Sequence, residues 1–257
     1  MDFVAKRAAL ADHLKSLERV AIAFSGGVDS SALLAQAHAV LGAHAVAVIA
    51  DSPSLPRREL AEAQRVAESI GAHLIVVRTD EAQDPSYQAN SGNRCYFCKR
   101  ALFVAMERVC REQAIPWMAF GEITDDWSDH RPGAQAAKEF GVVAPLSQAG
   151  MDKQDVRRLA AEFGLVVADK PASACLASRI PVGTKVTLER LRTVEGAEDS
   201  LLDLAFGVLR VRHHGNRARV EVSASQLPRA LALRTEIEQR LVVHGFESVE
   251  FAEYPTR

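Results

Sequence analysis

Short apolar runs alternate with helical patterns along the first 150 or so residues. Val20–Phe24, Ala45–Ala50, Leu74–Val77, Trp117–Phe120 and Val142–Ala144 lack polar alternation and read as buried strands. Between them, Val28–Leu41 and Arg57–Ile70 repeat apolar residues at three- and four-residue spacing, as amphipathic helices do; Leu60, Ala63, Val66, Ala67 and Ile70 are one such face. Apolar strands separated by helices predict a parallel sheet covered on both faces.

Two long polar stretches interrupt the alternation. Residues 80–94 and 168–187 read as loops, the second after a helix over Asp152–Phe163, and loops of this length are usually functional or disordered. After Thr187 the pattern changes. A helix over Leu188–Leu204 leads to strands Val208–His213 and Ala218–Val222, joined by a turn at His214–Arg217. A helix through Arg229–Val243 and a strand at Ser248–Phe251 complete a small α+β unit. The expected domains are 1–184 and 185–257.

Composition narrows the function classes. In 257 residues, 48% are hydrophobic and 25% charged, an ordinary globular balance with ample material for a core. A net charge of -2 gives no field that would favour nucleic acid or an anionic membrane, so neither is an expected partner. No apolar run approaches a membrane span. The opening stretch reads as a charged amphipathic helix without the apolar core of an export signal. The four cysteines are therefore expected as reduced thiols in the cytoplasm.

The strongest chemical signal is Ala23-Phe24-Ser25-Gly26-Gly27-Val28-Asp29-Ser30-Ser31, where a buried strand runs into two glycines and then a helix. Glycines allow a sharp turn and close backbone approach to a ligand. The helix start offers unpaired N–H groups and the positive end of its dipole, an anion site suited to phosphate. Asp29 is anomalous beside an anion unless it helps hold a magnesium ion bridging phosphates. The plainer alternative is a Gly-Gly turn whose Asp and Ser cap the helix. Neither a Walker-type loop nor a dinucleotide fingerprint is present.

Cys95 and Cys98 form a Cys-x-x-Cys pair, a spacing that can share a metal. A structural zinc wants a fourth ligand, whereas three thiolates with Cys175 suit an open iron–sulfur cluster better. Cys175 has a second reading as a nucleophile or sulfur donor, its thiolate favoured if Lys170, Arg179 and Lys185 surround it in space, and a third as a buried structural cysteine. Cys110 lies on a helical pattern with Met106 and Val109 and reads as core. Arg210 and Arg212 share one face of a strand, either as a clamp for phosphate or carboxylate or as a solvated surface. His213 and His214 face opposite ways and share no metal easily.

SGGVDSS resembles the SGGxDS pyrophosphate loop of the ATP pyrophosphatase group, which includes GMP synthetase, NAD synthetase and tRNA-thiolating enzymes. That resemblance implies an α/β, Rossmann-like PP-loop domain. It would split ATP between the α and β phosphates and bind it through Ala23, Phe24, Ser25, Gly26, Gly27, Asp29, Ser30 and Asp51, with Mg2+ at Asp29. Three further segments resemble the LarE family: Cys175-Leu-Ala-Ser-Arg-Ile-Pro-Val-Gly-Thr-Lys, Gly121-Glu122 with Thr124 through Gly133, and Val208 through Gly215. This resemblance runs essentially end to end. It implies an ATP-dependent sulfur transferase acting on pyridinium-3,5-biscarboxylic acid mononucleotide, on the route to the nickel-pincer nucleotide cofactor. It further implies substrate contacts at Arg179, Glu198, Arg210 and Arg212, and a loop over the site at Asp125, Asp126 and Trp127, in a homo-oligomer.

The family holds two chemistries, sacrifice of the cysteine matching Cys175 to dehydroalanine, or a [4Fe-4S] cluster on three cysteines. The presence of Cys95 and Cys98 beside Cys175 resembles the cluster type. Competing readings are a tRNA-thiolating enzyme, which would need a basic RNA-binding surface, an ammonia-using synthetase, which would leave the cysteines idle, and a non-catalytic ATP-binding module with structural zinc.

Overall fold

The computed structural model describes residues 1–128, 132–171 and 173–255. The chain divides into two compact units, Met1–Tyr87 with Asn93–Ser173, and Gln88–Gly92 with Ala174–Arg257. The sequence reading placed 174–184 with the first unit. In the structure this stretch joins the second because the Asn90 amide donates to the Pro181 and Thr184 carbonyls at 2.8 and 3.0 Å, while Arg179 is buried against Glu198.

The first unit is a parallel α/β sandwich. In chain order it comprises α1 (Phe3–Leu17), β1 (Val20–Ala23), α2 (Val28–Leu41), β2 (Ala45–Asp51), α3 (Arg57–Ile70), β3 (His73–Arg78), α4 (Pro85–Ala89), α5 (Arg94–Glu112), β4 (Trp117–Phe120), α6 (Pro132–Glu139), α7 (Pro145–Gln148) and α8 (Lys153–Glu162). The strands run parallel in the order β3-β2-β1-β4. Alternate residues of β1 feed opposite cores. Val20 and Ile22 pack with Leu33, Val66 and Leu159 of α2, α3 and α8, and Ala21 and Ala23 with Phe103 and Met106 of α5. The double burial explains the uninterrupted apolar runs. From β1 the sheet extends through β2 in one direction and to β4 in the other. The carboxyl end of β1 is thus the switch point where such sheets bind ligands.

Three local expectations change. Val142–Ala144 contributes only an isolated bridge, Ala119 to Val143, because Pro145 begins a helix and cannot extend the ladder. Residues 80–94 are not loop throughout. Glu81–Gln83 is a 3-10 turn, and α4 starts at Pro85, with Asp84 accepting from the Ser86 N–H at 2.7 Å. Cys95 and Cys98 fall within the first five residues of α5.

The second unit comprises α9 (Leu188–Asp199), β5 (Leu209–His214), β6 (Arg217–Val222), α10 (Leu227–Ala232), α11 (Arg234–Val242) and β7 (Ser248–Glu253). β5 and β6 form the expected hairpin, turning at Gly215 with φ of 65°, and β7 joins β6 in parallel. The expected Arg229–Val243 helix is two helices meeting at Leu233, the first starting early because Pro228 suits a helix's opening turn. Val211, Val220, Ile237 and Leu241 lie in the core of this unit.

One ion-pair network ties α3 to the chain after α8. Lys170 donates to Glu59 at 2.8 Å and to Glu62 at 2.7 Å. Burial alone pushes the Glu59 carboxyl up, but the Lys170 hydrogen bond and charge, with help from Ser173 and Arg58, hold it below its ordinary value. A depressed carboxylate stabilises the fold above its unfolded pKa and loses that contribution as pH falls through the folded value. Stability is therefore expected to be flat near neutrality and to fall below about pH 4.3. Lys170→Met should shrink the acid-side fall, which urea melts across that range would measure.

Candidate functional site

The end of β1 forms a cradle. Val28 opens α2 with Gly27 as N-cap and no side-chain cap, so no side chain claims its first N–H groups. The Ser30 hydroxyl accepts from the Ser25 N–H at 3.2 Å and lies 3.2 Å from the Ser25 hydroxyl, closing the turn on itself. Two glycines permit the approach of neighbouring elements. Gly26 has φ of 70°, and a Cβ there would lie 2.6 Å from the Ala63 Cβ on α3. A Cβ at Gly121, just after β4, would lie 2.9 Å from the Ser30 nitrogen. Between β1 and β4 this leaves a cavity of about 200 Å³, lined by Ala23, Phe24, Ser25, Gly27, Asp29, Ser30, Lys99, Leu102, Phe120 and Gly121.

Lys99 supplies the cradle's cation. Its ammonium stands 4.8 Å from the Phe120 ring centroid and 5.7 Å from that of Phe103. Burial pushes the Lys99 pKa below its ordinary value, against the opposing pull of Cys98, Glu122, Asp126 and Cys95. Uncapped amides, hydroxyls and a lysine around one concavity form a site for a polyphosphate. Asp29 carries a different partner, the Lys153 ammonium, which donates to its two oxygens at 2.6 and 2.7 Å.

The second unit has its own polar centre. The Arg179 guanidinium meets Glu198 through Nε at 2.9 Å and Nη2 at 3.2 Å, with side chains 1% and 0% exposed. The Arg179 Nη1 donates to the carbonyls of Ala174 and Cys175 at 2.6 and 3.0 Å, and Glu198 accepts from the Val211 N–H at 3.1 Å. Arg210, Arg212, Arg217 and Arg219 lie on the opposite face of the sheet from Val211 and Val220, around the buried Glu221. Arg212 donates to Glu221 at 2.7 Å and to the Ser178 carbonyl at 3.0 Å, docking the Cys175–Arg179 turn on this face. Arg210 lies 5.6 Å from the Tyr254 ring centroid.

The asparagine synthase family model matches residues 6–91, which include the β1–α2 turn of the cradle but not Lys99, Phe120 or Gly121. An uncharacterised protein of Synechocystis sp. is 43% identical over 211 residues, 82% of this chain and 79% of the relative. The pyridinium-3,5-bisthiocarboxylic acid mononucleotide synthase of Lactiplantibacillus plantarum is 34% identical over 245 residues, 95% of this chain and 89% of the relative.

The chain belongs to the LarE family.

It is an ATP-using sulfur transferase on the PP-loop fold. A more distant relative, the tRNA-specific 2-thiouridylase MnmA of Rickettsia felis, is 28% identical over 190 residues, 60% of this chain and 52% of the relative.

The structure of this LarE protein brings together some of the residues read from its sequence and separates others. Ala23, Phe24, Ser25, Gly27, Asp29 and Ser30 line one cavity, with Gly26 beneath it against α3. Asp51 ends β2, its carboxylate engaged by Arg57, and does not line that cavity. Arg179 and Glu198 were expected at the substrate. They are buried and hold each other, and Arg179 also bonds the Cys175 carbonyl. Of the cations expected around Cys175, Arg179 bonds the Cys175 carbonyl as well as Glu198, Lys170 is engaged by Glu59 and Glu62, and Lys185 is exposed. Cys110 packs against the core under α5, and burial raises its thiol to about 11. His213 packs edge-on against Phe246, 5.5 Å between ring centroids. Cys95 is exposed, Cys98 and Cys175 are half-buried, and none of the three is in a disulfide. Among the described residues no group of three metal-ligating side chains is assembled, and no helix is long and apolar enough to cross a membrane. Asp125, Asp126 and Trp127 lie in a 3-10 turn with Trp127 exposed, while Asp129, His130 and Arg131 lie outside the described residues.

Sequence reasoning missed Lys99. The signal was present, because Lys99, Phe103 and Met106 share the inward stripe of α5, and a lysine at a core position needs a reason.

Proposed function

We propose that this LarE protein converts the carboxylates of pyridinium-3,5-biscarboxylic acid mononucleotide to thiocarboxylates in nickel-pincer cofactor synthesis. The observation that carries the ATP half is the cradle, with uncapped amides of α2, the Ser25 and Ser30 hydroxyls and Lys99 facing one cavity at the switch point. Bound there, ATP would be attacked at its α-phosphorus by a substrate carboxylate oxygen. The bond to the bridging oxygen breaks and pyrophosphate leaves with the electron pair. Amides and ammonium stabilise that leaving charge without reorganising. A sulfur nucleophile then adds at the acyl carbon and AMP departs, so each carboxylate exchanges one oxygen for sulfur. The arginine face with Arg210 and Arg212 supports recognition of the substrate's phosphate.

For the sulfur source, Cys95 and Cys98 offer two thiols from one helical turn, which fits two iron ligands, and Cys175 would be the third. A [4Fe-4S] cluster so held would supply a sulfide at its open iron. Asp29 would hold magnesium, which would offset the charge of the polyphosphate.

Anaerobically purified protein given ATP and the pyridinium substrate tests the reading. The expected products are one AMP and one pyrophosphate per thiocarboxylate. Iron should be present and lost in Cys95→Ala, Cys98→Ala and Cys175→Ala alike. ADP and phosphate would overturn the ATP reading. Product from iron-free protein, with Cys175 found as dehydroalanine, would replace the cluster with sacrifice.

A further inference from the structure

We infer that Lys153 is the resident counter-ion of Asp29 and is exchanged for the divalent cation that arrives with nucleotide. This inference rests on the ATP reading of the cradle and deepens it. Its central observation is that one ammonium lies 2.6 and 2.7 Å from the two oxygens of the carboxylate that faces the cradle. A magnesium ion needs carboxylate oxygen at about 2.0–2.1 Å in near-octahedral order. It and the ammonium cannot occupy the same side of Asp29 together.

The surroundings favour exchange over a fixed bridge. The backbone of Lys153 is held, since it opens α8 directly after a capping box in which Asp152 and Asp155 bond each other's main-chain N–H groups. Lys6 further anchors Asp155 at 2.5 Å. The Lys153 side chain, by contrast, is 39% exposed and that of Asp29 is 28% exposed, so the pair is open to water and weakly held. A fixed Cα and a free tether suit an ammonium that changes partner.

The exchange has an electrostatic logic. A bare Asp29 at the cradle would repel an incoming polyphosphate, and paired with Lys153 it does not. When the metal takes the carboxylate, the released ammonium remains within reach of the phosphates and can bond their oxygens. Carboxylate and ammonium thus stay compensated both before and after nucleotide binds.

The test compares wild type, Lys153→Met, Asp29→Asn and the double variant. Mn2+ affinity is read by electron paramagnetic resonance with a non-hydrolysable ATP analogue present, and affinity for the same analogue without metal by calorimetry in chelator. Lys153→Met should tighten Mn2+ binding severalfold, because the competitor is gone. It should weaken metal-free nucleotide binding severalfold, because Asp29 is unmasked. The gain in Mn2+ affinity should vanish in the Asp29→Asn background, as a double-mutant cycle requires of a direct pair. Unchanged or weaker Mn2+ binding in Lys153→Met, or a gain in Mn2+ affinity that persists without Asp29, overturns the exchange while leaving the cradle intact. Absence of nucleotide binding in wild type overturns both.

Discussion

Glu198→Ala is expected to remove roughly 3–5 kcal/mol of stability from the second unit, the loss typical when one partner of a buried ion pair is deleted. The magnitude follows from burial. With the carboxylate gone, the Arg179 guanidinium is left 1% exposed with no counter-charge, and the Val211 N–H loses its acceptor. Arg234 and Glu238 provide the control, an exposed pair one helical turn apart whose rupture should cost about 0.3–0.5 kcal/mol. Urea melts measure both. The second readout is local. Arg179 also holds the carbonyls of Ala174 and Cys175, so its displacement should speed alkylation of Cys175 severalfold in native conditions. Glu198→Gln retains the shape and one acceptor and should fall between. If Glu198→Ala behaves like Glu238→Ala, the pair does not position the cysteine turn.

Gly26→Ala is expected to lower pyrophosphate release by about 100-fold, the scale on which a misplacement near 1 Å acts. A methyl at this position would lie 2.6 Å from the Ala63 Cβ and 2.9 Å from its Cα, with backbone behind it that cannot swing aside. The φ of 70° adds strain of about 1–2 kcal/mol for any side chain. The loop relieves both by lifting off α3, which carries the α2 amides away from the phosphates. Gly27→Ala is the control. Its backbone is extended, at φ of -79° and ψ of 164°, and its Cβ would meet only the Ser25 hydroxyl at 3.4 Å. It should stay within severalfold of wild type in a coupled pyrophosphate assay.

What the sequence made legible was what local pattern encodes. Val28–Leu41, Arg57–Ile70 and Trp117–Phe120 stand where periodicity placed them, and the cradle follows from a strand, two glycines and a helix in immediate succession. Partnerships across the chain were not legible. Arg179 and Glu198 are 19 positions apart and Asp29 and Lys153 are 124, so only the fold reveals that each charge already has a partner. Lys99 was hidden because a lysine is read as surface until the helix carrying it is seen to face a cavity. Val142–Ala144 failed for a local reason, since Pro145 ends it before a ladder can form.

Residues 88–92 interrupt the first unit's sequence yet belong to the second. The Asn90 amide, 1% exposed, satisfies the Pro181 and Thr184 carbonyls. The second unit is therefore not a cassette that recombination could move by a single cut. A transplanted 174–257 segment would arrive with those carbonyls short of their donor. Exchange between LarE chains that preserves this unit needs three coordinated crossovers, two of them flanking residues 88–92 within the first unit's sequence.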